Sequence, residues 1–239
     1  MESNNVYEDK ICAESYAALE FPNTYYLAYR DIPDILQKHL KGKKAIDFGC
    51  GTGRSTRFLK RYGYETIGID ISEEMIKRAK KFDPAGVYYQ INDNDFSQLK
   101  NNHFDLMLSM FTFDNIPNIE TRIKILKSLN DLINEEGRIV MLDAAPENYF
   151  YEWASFSTKD FPENKNAKSG EKVKIIITDV EDKRPVEDNI WFHNDYLDLF
   201  DKAGLTLIEF HKPLGKSEEP YNWINETVIS PWVIYVLGK

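Results

Sequence analysis

The chain is poor in several residue types, and each shortage excludes something. Only two cysteines, Cys12 and Cys50, occur in 239 residues, which supplies no disulfide framework and fits a reducing compartment. The four scattered histidines add no metal-ligand spacing, so no metal site is expected. No apolar run approaches the ~20 residues needed to cross a bilayer, and the opening M-E-S-N-N-V-Y-E-D-K lacks the basic and apolar regions of a secretory signal. A cytoplasmic protein without membrane contact is expected, in which the N-E-T sequon at Asn225 stays unmodified. Basic charge is scarce as well. Thirty Lys and Arg against 39 Asp and Glu leave a net charge of -9, and no cationic stripe is available to follow a phosphate backbone. This argues against a nucleic-acid partner. K-R-A-K-K, from Lys77 to Lys81, reads instead as the solvated side of a helix.

What the chain does have is a regular alternation of β and α patterns without internal repeats. Strands are expected near 44–48, 65–69, 87–91, 104–109 and 137–143, and helices near 53–62, 73–81 and 119–134. Ser72 opens one helix, and Gly137 reads as the stop after another. Later, Leu197 to Ala203 reads as a helix ended by Gly204, followed by strands at 205–210 and 232–237. Such alternation builds a largely parallel sheet covered by helices on both faces, and a chain of this length makes one α/β domain.

The most informative stretch is A-I-D-F-G-C-G-T-G-R, from Ala45 to Arg54. A short apolar strand ends in Asp47, passes through Gly49, Gly51 and Gly53, and feeds a helix. Glycines in such a turn let backbone N–H groups face a ligand at the carboxyl edge of a parallel sheet. The dinucleotide fingerprint G-x-G-x-x-G needs a glycine at the sixth position, where Arg54 stands. Asp47 would also repel a pyrophosphate, whereas it suits the ammonium of an aminoacyl group. A second acid, Asp70, ends the next strand in the position that holds ribose hydroxyls in such folds. Together the two acids fit an aminoacyl nucleoside and disfavour the competing reading, an NAD-dependent oxidoreductase.

On these residues the segment from about Gly42 to Asp143 resembles the class I S-adenosylmethionine-dependent methyltransferases, most closely the small-molecule group often labelled type 11. The resemblance implies a Rossmann-like doubly wound sheet of seven strands in the order 3-2-1-4-5-7-6, the last strand antiparallel. It implies S-adenosylmethionine as cofactor and S-adenosylhomocysteine as product. Asp47, Gly49, Gly51, Gly53 and Thr52 take the cofactor loop, with Cys50 as a compact spacer, while Asp70, Ile71 and Met75 follow at the second strand. Asp93 in N-D-N-D is matched to the adenine amino group, with Asp95 as the alternative by a register slip and Asn94 between them. Ser109 ends the fourth strand. The loop M-F-T-F-D-N after it separates cofactor from acceptor, so Phe113, Asp114 and Asn115 line the pocket, and Asp114 is a candidate base.

Two regions lie outside the family core. In residues 1–40, F-P-N-T-Y-Y-L-A-Y-R offers Tyr25, Tyr26, Tyr29 and Arg30 as an N-terminal lid, Tyr25 and Arg30 toward the cofactor and the other two tyrosines toward the acceptor. Residues 147–192 read as an inserted cap with one extra strand at 173–177, a long loop at 158–171, and Trp153 as a candidate acceptor contact. Residues 41–146 then form the cofactor-binding half, and 193–239 complete the sheet. His193, before a late helix, is a second candidate base. The expected reaction is direct in-line methyl transfer to an oxygen, nitrogen or carbon of a small molecule, in a monomer or homodimer. A non-catalytic S-adenosylmethionine-binding sensor or partner subunit uses the same loop and remains the alternative.

Overall fold

The computed structural model describes residues 21–92, 95–100 and 103–239. The segment that carries Cys12, and the candidates Asp93 and Asn94, fall outside them. Five parallel strands form the centre: β1 (Lys44–Phe48), β2 (Glu65–Asp70), β3 (Val87–Gln90), β4 (Phe104–Met110) and β5 (Ile133–Ala144). Past an insertion that holds β6 (Phe156–Ser157), β7 (Lys172–Ile177) and β8 (Val186–Asn189), the sheet is completed by β9 (Thr206–His211) and β10 (Trp232–Gly238). The main sheet runs β3-β2-β1-β4-β5-β10-β9, and β10 is antiparallel to both of its neighbours. With the insertion set aside this is the expected order.

Among the described residues six helices flank the sheet: α1 (Thr24–Arg30), α2 (Ile32–His39), α3 (Arg54–Arg61), α4 (Glu73–Phe82), α5 (Ile119–Leu132) and α6 (His193–Lys202). Alternation along the strands divides the core in two. Leu108, Val140, Leu142, Trp232 and Ile234 face α1, α2, α3 and the insertion, whereas Met107, Ile139, Met141, Val233 and Tyr235 face α5 and α6. Two boundaries differ from expectation. Helix α5 stops at Leu132 because Ile133 already turns extended, so β5 begins there and Gly137 lies inside the strand. Helix α6 starts at His193, where the Asp195 carboxylate accepts the Phe192 N–H at 2.7 Å and caps the first turn.

The inserted region holds a three-stranded antiparallel sheet, β6-β7-β8, where one extra strand was expected. Its long loop is tied down. A 3-10 turn at Pro162–Asn166 buries Asn164, whose amide donates to the carbonyls of Tyr149 and Lys174 and whose oxygen accepts the Lys174 N–H.

Glu226 joins the insertion to the N-terminal helices. It is fully buried, and one carboxylate oxygen accepts the Thr24 hydroxyl at 2.6 Å and the Ala154 N–H at 2.7 Å. The other oxygen accepts the N–H groups of Ile224 and Asn225. Thr24 and Ser155 bond each other's backbone N–H through their hydroxyls, and the Trp232 indole donates to the Thr24 carbonyl at 2.8 Å. Removing this carboxylate strands the buried Thr24 hydroxyl and three part-buried backbone N–H groups. Glu226→Ala is therefore expected to lower stability by about 3 to 5 kcal/mol, read as a shift in the urea midpoint, with Glu226→Gln losing less. An effect below about 1 kcal/mol would show that water replaces these bonds.

Candidate functional site

Near the end of β1 stands Asp47, which has no exposed surface. Its Oδ2 accepts the hydroxyls of Ser55 at 2.7 Å and Thr56 at 2.5 Å, both in the first turn of α3. Its Oδ1 is equally shielded and has no partner. Burial pushes this carboxyl up to about 6 against the opposing pull of the two hydroxyls. The three glycines that follow adopt φ of 70°, 53° and 80°, in the region L side chains avoid. They serve two purposes. A Cβ at Gly49 would strike Thr112 and one at Gly53 the Tyr88 hydroxyl, but the space beside Gly51 is empty for 4 Å. Gly49 and Gly53 permit packing; Gly51 keeps a face open.

Asp70, at the end of β2, closes the other side. Its Oδ2 accepts the Gly51 N–H and its Oδ1 the Ser72 N–H, each at 2.8 Å, and burial raises its pKa although these backbone bonds oppose the shift. A carboxylate oxygen has two lone-pair sites, so each retains acceptor capacity for a ligand hydroxyl. Ile71 stands on the rim, 53% exposed.

Other candidates take supporting positions. The Cys50 side chain packs with Ile76, Ala79 and Tyr88, and burial drives its thiol pKa up, so it is a spacer. Met75 is buried, and its N–H bonds the Ser72 hydroxyl that caps α4. Thr52 is buried, with its carbonyl held by Arg57, and Ser109 is buried with an unpartnered hydroxyl. Asp95 is exposed and spends its carboxylate on the Ser97 N–H, capping a turn.

Tyr25 and Tyr29 reach toward the loop. The Arg54 guanidinium lies 5.1 Å from the Tyr25 ring, 5.5 Å from Tyr29 and 5.6 Å from Phe111. Phe111 was not singled out by sequence, yet it has φ 58°, which is rare for a bulky residue and marks a strained turn at the end of β4. Its N–H bonds Leu142, and its carbonyl accepts the Asn115 amide at 3.1 Å. Asn115 thus shapes the loop.

Four candidates are engaged elsewhere. Arg30 is held by Asp31 at 2.7 Å, Glu219 at 2.8 Å and the Leu214 carbonyl, so its charge is committed to the β9 side. Tyr26 packs on Tyr221 at 4.9 Å. Trp153 is buried and its indole donates to the Asn148 carbonyl, whereas Phe113 is buried against Phe48. All but Arg30 serve packing, because their aromatic area is worth most in the core.

The structure does not bring the two base candidates together by a hydrogen bond. The His193 ring stacks at 6° on Tyr235, with Nδ1 3.2 Å from its hydroxyl, and burial lowers the imidazole pKa. Asp114 is buried in a short turn at Phe113–Asn115 and accepts from the Asn115 amide. Burial pushes Asp114 up to about 6, Asp143 up to about 7 and Asp188 well above the carboxylate range, while Arg122 pulls the first two back.

These raised values have a sign. The unfolded chain releases such protons near pH 4, whereas the folded chain holds them to about 6 or 7, so stability falls as pH rises through that window. The lowered Asp31, Asp83, Glu152, Glu187 and Glu209 act below it, their contributions being lost as pH falls through their folded values. Urea midpoints are expected to peak near pH 4 to 5 and decline toward 7, with Asp143→Asn flattening the decline. A midpoint that climbs from pH 5 to 7 would show these acids ionise freely.

Comparison with known proteins matches residues 22–209 to a family described as a methyltransferase domain. An uncharacterized protein of Haemophilus influenzae is 32% identical over 119 residues, 46% of each chain. The chloroplastic tocopherol O-methyltransferase of Arabidopsis thaliana is 31% identical over 112 residues, 44% of this chain and 31% of that enzyme. The chain thus spans less than half the length of either relative. A crystal structure of an S-adenosylmethionine-dependent methyltransferase from Clostridium acetobutylicum superposes with a TM-score of 0.63 at 14% identity, covering 98% of this chain and 96% of the other, and so shares the fold. With its glycine loop between two strand-end acids and its 3-2-1-4-5-7-6 sheet, the chain belongs to the methyltransferase domain family, the class I kind whose cofactor is S-adenosylmethionine.

Proposed function

We propose that this chain transfers a methyl group from S-adenosylmethionine to an oxygen, nitrogen or carbon nucleophile of a small molecule by direct displacement. The observation that carries the reading is the open face over Gly51, set between the acids of β1 and β2. Residues around it fit the cofactor. Asp70 would take the ribose hydroxyls on the lone pairs its backbone bonds leave over, and the unpartnered Oδ1 of Asp47 suits an ammonium group. When bound, the cofactor supplies a methyl group on a sulfonium, with a neutral thioether as leaving group.

The chain's own contribution is orientation and the exclusion of water. Phe111 is braced at 4.9 Å by Trp232 and at 5.7 Å by Tyr25, which walls the end of β4 with aromatic surface. Asp114, on the loop after β4, is the residue proposed to accept a proton, since burial already raises its affinity for one. His193 lines a separate pocket near β10 and is not assigned a part in the chemistry. A relative named for tocopherol O-methylation supports a small organic acceptor. Net charge of -9 supports the same class over nucleic acid.

Calorimetric titration with S-adenosylmethionine, S-adenosylhomocysteine and NAD tests the reading. Saturable binding of both adenosyl ligands and none of NAD is expected, with Asp70→Ala weakening affinity at least about tenfold while retaining the wild-type melting midpoint within a few degrees. NAD binding alone would make the chain an oxidoreductase. Tight adenosyl binding with no turnover on any acceptor screened would favour the sensor.

A further inference from the structure

The insertion brings a carboxylate to the sheet edge where β4 and β5 end. Strand β8 packs against the turn at Phe113–Asn115, fastened there by the Asn189 amide, which donates to the Asp114 carbonyl at 3.0 Å. Glu187 points out and Asp188 in, as alternation along a strand requires. Asp188 is 8% exposed, and its Oδ2 accepts the hydroxyl of Tyr149, from the turn after β5, at 3.2 Å. Its Oδ1 has no hydrogen-bond partner among the described residues, and it is not sealed from solvent as both Asp143 oxygens are. One carboxylate oxygen at this edge is thus open to a ligand.

The surroundings of Asp188 carry one sign of charge. Asp114 and Asp143 push its carboxyl up, and among the described residues the Tyr149 hydroxyl alone pulls it back. Two cations lie in the region, Arg54 stacked 5.1 Å from the Tyr25 ring and Arg122 4.3 Å from Trp191, and neither moves the Asp188 carboxyl. The Asp188 charge does reach the Tyr25 hydroxyl, which it pushes up. Tyr25 packs on Phe111 at 5.7 Å and on Phe156 at 5.2 Å, so the acid stands beside the aromatic wall at the end of β4. An anionic guest there would meet three acids. A neutral hydroxyl would fill Oδ1 but leave the charge unmatched, and a carbon acceptor has no strong donor to offer. An ammonium supplies donor and charge together.

We propose that Asp188 selects the methyl acceptor, and that the acceptor is a primary or secondary amine whose N–H it receives on Oδ1. This rests on the methyl-transfer reading and narrows it from oxygen, nitrogen or carbon to nitrogen. The amine arrives as an ammonium ion. One proton passes to Asp114, which later returns it to water, while one N–H stays on Asp188. The freed lone pair forms the new C–N bond as the bond between sulfur and methyl breaks, with the neutral thioether as leaving group. Tyr149 is a positioning residue: by holding Oδ2 it leaves Oδ1 for the amine.

The test is calorimetric titration of the intact protein, saturated with S-adenosylhomocysteine, with three probes of matched shape: phenethylamine, 2-phenylethanol and 3-phenylpropionate. Phenethylamine is expected to bind saturably and about tenfold or more tighter than 2-phenylethanol, with 3-phenylpropionate weakest. The isosteric Asp188→Asn removes the charge and should bring amine and alcohol within about twofold of each other, with S-adenosylhomocysteine affinity and circular dichroism unchanged. With methyl-labelled S-adenosylmethionine in place of the product, label should pass to phenethylamine and not to 2-phenylethanol. The wild-type preference decides by itself if Asp188→Asn does not fold. No saturation with phenethylamine, equal affinity for amine and alcohol, or a loss in Asp188→Asn shared equally by both probes would each overturn the proposal. S-adenosylhomocysteine binding measured alone tells this failure from failure of the methyl-transfer reading.

Discussion

The buried carboxylate of Asp47 is the interaction on which the upper edge of the sheet depends. Helix α3 begins at a left-handed glycine, Gly53, which offers no side-chain cap. The acid that serves its first turn comes instead from the end of β1, through the Ser55 and Thr56 hydroxyls. An acid at a helix N-terminus is favoured by the local dipole, and one removed from water must be hydrogen-bonded. One carboxylate therefore fixes strand to helix and leaves the three glycines between them little freedom. Asp70 does the same from β2 by gripping the Gly51 N–H. The loop is shaped from two sides before any ligand arrives.

This explains which parts of the molecule could be read from sequence. β1, the glycine loop, α3 and β2 are specified locally: an acid, three glycines and a second acid each meet a need within a few residues. The strand order came from resemblance, not from periodicity. The insertion was only half legible, because the two-residue β6 and the polar β8, V-E-D-N, become strands only by pairing with β7. Arg30, Tyr26 and Trp153 look like site residues in a row of aromatics and cations, yet their partners at Glu219, Tyr221 and Asn148 decide otherwise. Arg122 shows the reverse. In T-R-I-K-I-L it reads as an ordinary helical cation, and only Trp191 and Tyr196, brought over by α6 and the segment before it, make it a buried one.

The two faces of the sheet carry different burdens. On one, α1 and the insertion meet Phe111 and Trp232 in a nearly continuous aromatic contact, with Tyr25 touching both and Phe156 as well. On the other, α5 and α6 enclose charge: Arg122 lies 4.9 Å from the Tyr196 ring, and buried Asp143 is near enough to push up the Tyr196 and Tyr235 hydroxyls. Apolar closure suits the exclusion of water, whereas enclosed charge costs stability unless it is paired or holds its proton.

The bond between Thr24 and Glu226 spans 202 positions of the chain. During synthesis the glycine loop and the first parallel strands leave the ribosome well before that acid exists. Helix α1 has been made by then but lacks the carboxylate that seats it, and contacts so distant in sequence form late. The glycine loop is thus assembled early and roofed last, so a chain interrupted before Glu226 would leave the loop built and its aromatic cover unanchored.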